Sequence, residues 1–211
     1  MDELLERARA LEGLTLAEVA DPHGMRAPPD LKRHKGWIGD LAENALGATA
    51  GSTSEPDFPH LGVELKTVPI DARGVPREST WVCSAPLDGS AGRTWAESWV
   101  WKKLRCVLWM PIHTEKDVPV PERTFGAPLL WRPSAEQEAV LRGDWESATE
   151  ALELGEFWRA NGKYGEALQL RSKALRADRR EWAIDSDANW VKTTPYGFYL
   201  RASFTRTVLA K

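Results

Sequence analysis

Three of the charged residues in the largely apolar stretch PDFPHLGVELKTVPID, residues 56–71, have a spacing that could support hydrolysis. They are Asp57, Glu64 and Lys66. Side chains on a strand alternate between its two faces, so Glu64 and Lys66 point to one side and Leu65 points to the other. Asp57 lies between prolines, where a turn can fold it back beside Glu64.

An acid pair with a neighbouring lysine is suited to binding a metal ion and hydrolysing a phosphodiester. Two adjacent carboxylates repel each other unless a proton or a cation lies between them. Oxygen ligands favour a hard cation, and Mg²⁺ commonly takes one or two carboxylates together with waters and phosphate oxygens. A lysine beside such a site places positive charge where negative charge accumulates in phosphoryl transfer, or holds the attacking water. The alternative is an exposed Glu-x-Lys pair on the solvated face of a sheet.

The segment before this stretch is predicted to be helical. Apolar residues recur at helical spacing between Leu4 and Leu11, which predicts a first helix. Thr15 and Glu18 form a capping box that opens a short second helix. A third helix is predicted over KGWIGDLAENALGA, residues 35–48, and its end is marked by glycine.

Strands are predicted on both sides of a fourth helix. The runs GVELKTV, TWVCSAP (residues 80–86) and RCVLWMPI (residues 105–112) have the composition of strands. Between the last two runs, Thr94 and Glu97 match a capping box, which predicts a helix over WAESWVWKKL.

The second half of the chain continues with a long helix and short strands. Ser134 and Gln137 match a capping box that opens a helix running towards Arg159. Residues 166–174 and 197–204 have the composition of short strands, and a terminal helix follows. This order of elements predicts a mixed α/β fold, with a core sheet flanked by helices, rather than a doubly wound parallel sheet.

The net charge of -3 conceals a basic C-terminal quarter. Residues 159–211 contain 11 Lys and Arg against 5 Asp and Glu, a net +6, while the other 158 residues contain 17 against 26, a net -9. The basic run RSKALRADRR and the aromatic run YGFYLR both lie in this quarter, and a nucleic-acid surface combines such residues. The alternative for most basic segments is a solvated face.

Composition excludes several other classes of protein. The N-terminus MDELLERARALEG is acidic and amphipathic, unlike a secretory or transit peptide, and no apolar run is long enough to span a bilayer. A cytoplasmic location is therefore expected. Cys83 and Cys106 are expected to be buried small hydrophobes rather than a disulfide, and the four histidines show no spacing typical of zinc ligands.

Asp followed by Glu-x-Lys is the signature of the restriction-endonuclease superfamily, and DFPHLGVELKTVPID resembles its form in the MutH family of methyl-directed mismatch-repair endonucleases. The similarity continues along nearly the whole chain, in the same order and at similar spacing. The further stretches that resemble this family are LKRHKGWIGDLAENALGATAGS, KKLRCVLWMPI, GAPLLW, LQLRSKA and GFYL. The resemblance implies a single domain with a restriction-endonuclease-like core sheet. It also implies an N-terminal lobe and a basic C-terminal lobe, of about residues 159–211, that enclose a DNA cleft.

The resemblance also assigns roles near the acid pair. It implies that Asp57, Glu64 and the backbone carbonyl of Leu65 bind the metal ion, and that Lys66 positions the attacking water. Two further residues match family positions close to the catalytic centre. They are Glu43, which reaches the site from the third helix, and Lys103. For Glu43 the alternative is a solvated residue away from the apolar face of its helix.

Four other residues match family positions that contact DNA. Tyr199 matches the residue that senses methylation of adenine, whose N6 amino group faces the major groove. Lys173 matches a base-contacting lysine, and a lysine pairs well with guanine O6 or N7. Arg171 and Lys35 are expected to bind phosphates, which positions the protein without specifying sequence. Without the resemblance, Tyr199 would be taken for a packed strand tyrosine.

The resemblance implies an endonuclease that nicks the unmethylated strand of hemimethylated GATC during mismatch repair. Mg²⁺ is the expected cofactor, with Mn²⁺ able to replace it and Ca²⁺ able to bind without supporting cleavage. MutL is the expected activator, MutS acts indirectly, and the chain is expected to be a monomer with no membrane partner. One alternative is a type II restriction endonuclease that cuts both strands at unmethylated GATC. Another is a non-catalytic DNA-binding protein, which would be distinguished by an incomplete set of acids and lysine.

Overall fold

The computed structural model describes residues 1–31, 33–34, 36–51, 54–85, 87, 94–156, 159–173 and 180–210. In chain order these residues form α1 (Asp2–Ala10), α2 (Leu16–Ala20), α3 (Trp37–Leu46), β1 (Glu64–Ile70), β2 (Thr80–Ala85), α4 (Trp99–Leu104), β3 (Val107–His113), β4 (Thr124–Phe125), β5 (Leu129–Trp131), α5 (Ala135–Glu153), β6 (Leu168–Ser172), β7 (Glu181–Ile184), β8 (Trp190–Thr193), β9 (Tyr196–Leu200) and α6 (Ala202–Leu209). The predicted mixture of helices and strands is therefore present.

The chain divides into two compact units, and each is assembled from separate segments. Unit 1 contains Met1–Glu78, Cys106–Arg132 and Arg206–Lys211, and unit 2 contains Ser79–Arg105 and Pro133–Thr205. The basic quarter, residues 159–211, is therefore divided between the units. Residues 159–205 belong to unit 2 together with β2, α4 and α5, and residues 206–211 belong to unit 1. Among the described residues, no helix is both long and apolar enough to cross a membrane.

Unit 1 is built on a mixed sheet with β3 at its centre. β1 pairs with β3 in parallel, and β4 and β5 pair with β3 in antiparallel orientation. The first six residues of β3 are all buried, as expected for a strand covered on both faces. Glu64 and Lys66 therefore lie on a strand that is fixed by the most buried strand of the unit.

The three predicted N-terminal helices pack against this sheet. The Thr15 hydroxyl accepts the backbone N–H of Glu18, and the Glu18 carboxylate accepts the N–H of Thr15, so the predicted capping box opens α2. α3 ends at Gly47, whose φ of 76° is readily adopted only by glycine. Leu41 and Leu46 of α3 belong to the buried core, and burial of one such side chain stabilises the fold by about 1.5–3 kcal/mol. This packing holds α3 beside β1.

Unit 2 contains a three-stranded antiparallel sheet and a separate hairpin. The order of strands in the sheet is β2, β9, β6, so β9 is central. In this register Trp81 lies opposite Tyr199, and Arg171 lies opposite Gly197. β7 and β8 form the hairpin.

Two charged side chains fix the loop that leads into β6. The Asp144 carboxylate of α5 accepts the backbone N–H groups of three consecutive residues, Glu166 to Leu168, at 2.7–2.9 Å. The Arg201 guanidinium donates to backbone carbonyls in the same loop, including that of Gly165 at 2.7 Å. Because peptide donors and acceptors of this loop have charged partners, the start of β6 is held in one register.

Three predicted boundaries in unit 2 were wrong. The predicted single helix is divided in two. A short 3₁₀ helix, Trp95–Glu97, follows Thr94, whose hydroxyl donates to the Glu97 carboxylate and caps no backbone N–H. α4 begins at Trp99 with Ser98 as its N-cap, because the Ser98 hydroxyl accepts the N–H of Trp101. α5 does begin with the predicted capping box at Ser134, but it ends at Glu153 rather than near Arg159. The last strand ends at Leu200, since the following residues already form α6.

Candidate functional site

Glu64 and Lys66 lie at the start of β1 with their side chains in contact. Lys66 Nζ donates to Glu64 Oε1 at 2.6 Å. Glu64 is only 2% exposed, and the Lys66 side chain is 13% exposed. A buried carboxylate is costly unless it is paired, so the pair is not the solvated Glu-x-Lys of a surface strand. The two side chains lie on the same face of β1, as the alternation along a strand predicted.

Asp57 is brought to β1 by a tight turn. Phe58 and Val63 form an antiparallel bridge, and Gly62 in the turn between them has a φ of 64°. Asp57 is 6% exposed, and its Oδ2 accepts the backbone N–H of Leu65 at 2.8 Å. The Asp57 carboxylate is therefore held at the start of β1, next to the residue that follows Glu64, although Asp57 lies seven positions before Glu64 in the sequence.

Glu43 shares the electrostatic environment of this acid pair. It lies on α3 and is half-buried. Burial is the main cause that raises the pKa of its carboxyl, and the negative charges of Asp57, Asp40 and Glu64 raise it further, while Lys66 lowers it. The structure thus places Glu43 close enough to the pair to be repelled by it, which a fully solvated residue would not show.

The donor set at this site fits a hard divalent cation. Asp57 and Glu64 provide two buried carboxylates, and the backbone N–H of Leu65 donates to Asp57 Oδ2. Within the part of the chain that the structure describes, no group of three or more His, Cys, Asp or Glu side chains is arranged to hold a metal ion. A site of two carboxylates and a peptide carbonyl is typical of Mg²⁺, which completes its shell with water and substrate oxygens. The Glu64 carboxylate already pairs with one cation, the Lys66 ammonium.

Two other predicted residues, the catalytic candidate Lys103 and the phosphate-binding candidate Lys35, are not part of the cluster described above. Lys103 is 8% exposed in the last turn of α4, within unit 2. Its catalytic role stays a prediction. Lys35 lies outside the residues that the structure describes.

The predicted DNA-contacting residues of unit 2 come together on one sheet. Tyr199 on β9 packs edge to face against Trp81 of β2, with ring centroids 5.0 Å apart. The Arg171 guanidinium of β6 lies 5.2 Å from the centre of the Tyr199 ring. Burial raises the pKa of the Tyr199 phenol, and the Arg171 charge partly offsets this effect. Tyr199 is therefore expected to be un-ionised at neutral pH.

Lys173 approaches the same aromatic group from the end of β6. Its ammonium lies 3.8 Å from the centre of the Trp81 ring and 3.3 Å from the Ser84 hydroxyl. Gly197 provides the space for the indole, since a side-chain carbon there would lie 2.1 Å from a ring atom of Trp81. Sequence reasoning missed Trp81 and Gly197, whose proximity depends on the pairing of β2 with β9.

A mixed sheet flanked by helices, with Glu-x-Lys on one strand and an Asp held beside the start of that strand, defines the restriction-endonuclease-like fold. The model of one family, described as MutH, DNA mismatch repair enzyme, matches residues 46–144, which include Asp57, Glu64, Lys66 and Lys103. Relatives extend the match along almost the whole chain.

Three relatives carry the name DNA mismatch repair protein MutH. The protein of Vibrio cholerae serotype O1 (strain ATCC 39541) is 49% identical over 209 residues, which cover 99% of this chain and 95% of the relative. That of Shewanella baltica (strain OS185) is 48% identical over 211 residues, 100% of this chain and 95% of the relative. That of Serratia proteamaculans (strain 568) is 49% identical over 209 residues, 99% of this chain and 92% of the relative. The chain belongs to the MutH family of DNA mismatch repair enzymes.

Proposed function

We propose that the protein is a Mg²⁺-dependent DNA endonuclease that nicks the unmethylated strand at hemimethylated GATC sites in methyl-directed mismatch repair. The observation that carries this proposal is the buried group of Asp57, Glu64 and Lys66 at the start of β1. Acids with a neighbouring lysine match the needs of phosphodiester hydrolysis. A non-catalytic DNA-binding protein would have no need to bury such a group.

Asp57, Glu64 and the Leu65 carbonyl would hold Mg²⁺. When bound, the ion would supply positive charge that stabilises the negative charge on the phosphate during hydrolysis. Lys66 orients the attacking water through its ammonium and stabilises the negative charge that develops as the water loses its proton. The water oxygen forms a new bond to phosphorus, one P–O bond of the backbone breaks, and the leaving oxygen takes up a proton. Glu43 and Lys103 act near this centre.

Recognition of GATC is the proposed task of the sheet in unit 2. Lys173 donates to an acceptor on guanine in the major groove. Tyr199 detects a methyl group on adenine N6, because its ring and hydroxyl would meet the methyl at the same groove. Arg171 and Lys35 bind phosphates and set the register of the protein on the duplex. The pairing of Arg171 with the Tyr199 ring supports the placement of both residues in one recognition surface.

Several further properties belong to this proposal. The enzyme acts as a cytoplasmic monomer, and one active site per chain suits cutting one strand. MutL activates it after MutS has bound a mismatch. Mn²⁺ replaces Mg²⁺ in catalysis, and Ca²⁺ binds without supporting cleavage.

Cleavage of matched duplexes tests the proposal. Duplexes with a single GATC site would be prepared unmethylated, hemimethylated and fully methylated, and incubated with Mg²⁺, Mn²⁺ or Ca²⁺. We expect a nick in the unmethylated strand with Mg²⁺ or Mn²⁺ and none with Ca²⁺. Glu64→Gln is expected to remove cleavage, whereas Glu146→Gln, at an exposed ion pair with Arg142, is expected to leave it unchanged.

Three other outcomes would contradict the proposal in different ways. Cutting of both strands at unmethylated sites by a single enzyme would favour the restriction endonuclease. Binding of the duplex without any cut, in every metal, would favour the non-catalytic protein. Normal nicking by Glu64→Gln would show that the catalytic acids have been assigned wrongly.

A further inference from the structure

Two serines, one directly before β2 and one within it, accept hydrogen bonds from the cations of Arg171 and Lys173, although β9 lies between β2 and β6. Ser79 directly precedes β2, and its hydroxyl accepts a hydrogen bond from Arg171 Nη1 at 2.7 Å. Ser84, within β2, accepts from Lys173 Nζ at 3.3 Å. β9 separates β2 from β6, so both long side chains extend across the central strand. Neither serine has a role in the proposed function.

A β-bulge places both serines on the same face of the sheet. Residues separated by an odd number of positions point to opposite faces of a regular strand, as Ser79 and Ser84 would. The register of β2 against β9 shifts between Trp81 and Cys83. Val82 and Cys83 are both buried, so two consecutive residues point inwards and the alternation resumes one residue later. Ser79, Trp81 and Ser84 therefore all face the side that carries Tyr199.

The bonds restrict side chains that would otherwise be free to move. Arg171 is exposed, and an exposed arginine samples many rotamers in solution. Its guanidinium is fixed between the Ser79 hydroxyl and the Tyr199 ring. Lys173 is fixed between the Ser84 hydroxyl and the Trp81 ring. A side chain that is already ordered loses less entropy when it binds a ligand, so both cations are pre-organised.

We propose that Ser79 and Ser84 are positioning residues for sequence recognition. Ser79 orients Arg171 and, through the contact of Arg171 with the Tyr199 ring, the residue that meets the adenine. Ser84 orients Lys173. The inference rests on the proposed function, because it assigns these serines to the same DNA-reading surface. They act on discrimination between sites and not on the hydrolytic step.

A double-mutant cycle tests whether each serine acts through its own cation. Specificity is measured as the ratio of kcat/KM on a GATC duplex to kcat/KM on a duplex with one base pair changed. Ser79→Ala is expected to lower this ratio by about 3- to 10-fold, the range that corresponds to one hydrogen bond. KM is expected to rise while kcat stays near the parent value. Ser79→Thr, which keeps the hydroxyl, is expected to restore the ratio.

The cycle also separates the two serines. In an Arg171→Ala background, Ser79→Ala is expected to have no further effect, because its partner is absent. In a Lys173→Ala background, Ser79→Ala is expected to act as it does in the parent. Ser84→Ala is expected to show the opposite dependence, with a smaller effect because Lys173 keeps its contact with Trp81. Ser203→Ala, at an exposed position of α6, is the matched control with no expected change.

The possible failures are distinguishable. If the parent cuts no DNA, or cuts GATC no better than the changed site, the proposed function fails. If the parent is specific and Ser79→Ala is equally specific, the inference about Ser79 fails. If Ser79→Ala lowers activity alike in the parent and Arg171→Ala backgrounds, and Ser79→Thr does not restore it, the serine has only a structural role and the inference is overturned.

Discussion

Lys66 Nζ and Glu64 Oε1 are 2.6 Å apart, although the two residues lie two positions apart on a single strand. Because the carboxylate is almost fully buried, its charge is balanced by the ammonium rather than by solvent. In the proposed function Lys66 also orients the attacking water, so the residue would have two roles. Its replacement should therefore change the stability of the protein as well as the hydrolytic rate.

Lys66→Met is expected to lower the free energy of unfolding by about 3 kcal/mol in EDTA, because it leaves Glu64 buried without this cation. Mg²⁺ is expected to stabilise the variant more than it stabilises the parent, since the ion would replace the lost charge. Urea denaturation with EDTA or with Mg²⁺ measures both effects. Arg142→Met, which breaks an exposed ion pair, is the control and should change little. Equal stability of Lys66→Met and the parent in EDTA would contradict this account of the pair.

Two replacements of Asp57 should separate its structural and chemical roles. Asp57→Asn keeps an oxygen that can accept the Leu65 N–H, so the fold should remain near parent stability. Asp57→Ala leaves that buried N–H unpaired, which should cost about 1–3 kcal/mol. Both variants lack the carboxylate charge and should cleave DNA at least about 100-fold more slowly. Thermal unfolding and single-turnover cleavage measure the two effects, and full activity of Asp57→Asn would exclude a role for the charge.

Glu43 should make stability depend on pH in the metal-free protein. Its pKa is raised in the folded state, mainly by burial and then by the neighbouring acids, so its ionisation costs stability. The cost is absent below the pKa of the unfolded chain, about 4.3, where Glu43 is protonated in both states, and it is complete above the folded pKa. Glu43→Gln should therefore be more stable than the parent at pH 8 in EDTA, by about 1 kcal/mol or less because the residue is half exposed.

Unfolding free energies of the parent and of Glu43→Gln between pH 4 and pH 8 test this sign. The advantage of the variant should shrink as the pH falls. If the difference in unfolding free energy between Glu43→Gln and the parent instead increased as the pH fell, the Glu43 carboxylate would be stabilised in the folded protein. That result would contradict the surroundings described for Glu43.

Gly197→Ala should disturb the sheet of β2, β9 and β6 through Trp81. The new methyl would lie 2.1 Å and 2.4 Å from atoms of the indole, so the ring must move. We expect a loss of about 1–3 kcal/mol in stability and weaker discrimination between sites, since Trp81 contacts both Tyr199 and Lys173. Gly143→Ala is the matched control, because this glycine lies inside α5 with open space around it and alanine favours a helix by about 1 kcal/mol. Near-ultraviolet circular dichroism follows the indole, and an unchanged signal for Gly197→Ala would contradict the expected displacement.

Local patterns in the sequence predicted the helices α1, α2 and α3 and the strands β1 and β3 of unit 1, but not its short strands β4 and β5. They predicted the surface of unit 2 poorly. Alternation on β1 and the prolines around Asp57 are short-range signals, and they were enough to place the two acids and Lys66 together. The position of Ser79 and Trp81 depends on pairing with β9, more than a hundred residues away, and on a bulge that has no local signature. At α4, Thr94 and Ser98 are both suitable caps one turn apart, and only the contacts of the folded unit decide between them.

The parallel pairing of β1 with β3 has a consequence for synthesis on the ribosome. Glu64 lies opposite Val107, so the strand that carries the two charged side chains has no partner until β3 has been translated. Closing such a long loop costs entropy before any hydrogen bond forms, which slows folding. Unit 1 also takes its final segment, Arg206–Lys211, after the last residue of unit 2 has been made. We therefore expect a nascent chain to lack the proposed hydrolytic activity until β3 and the segment Arg206–Lys211 have both been synthesised.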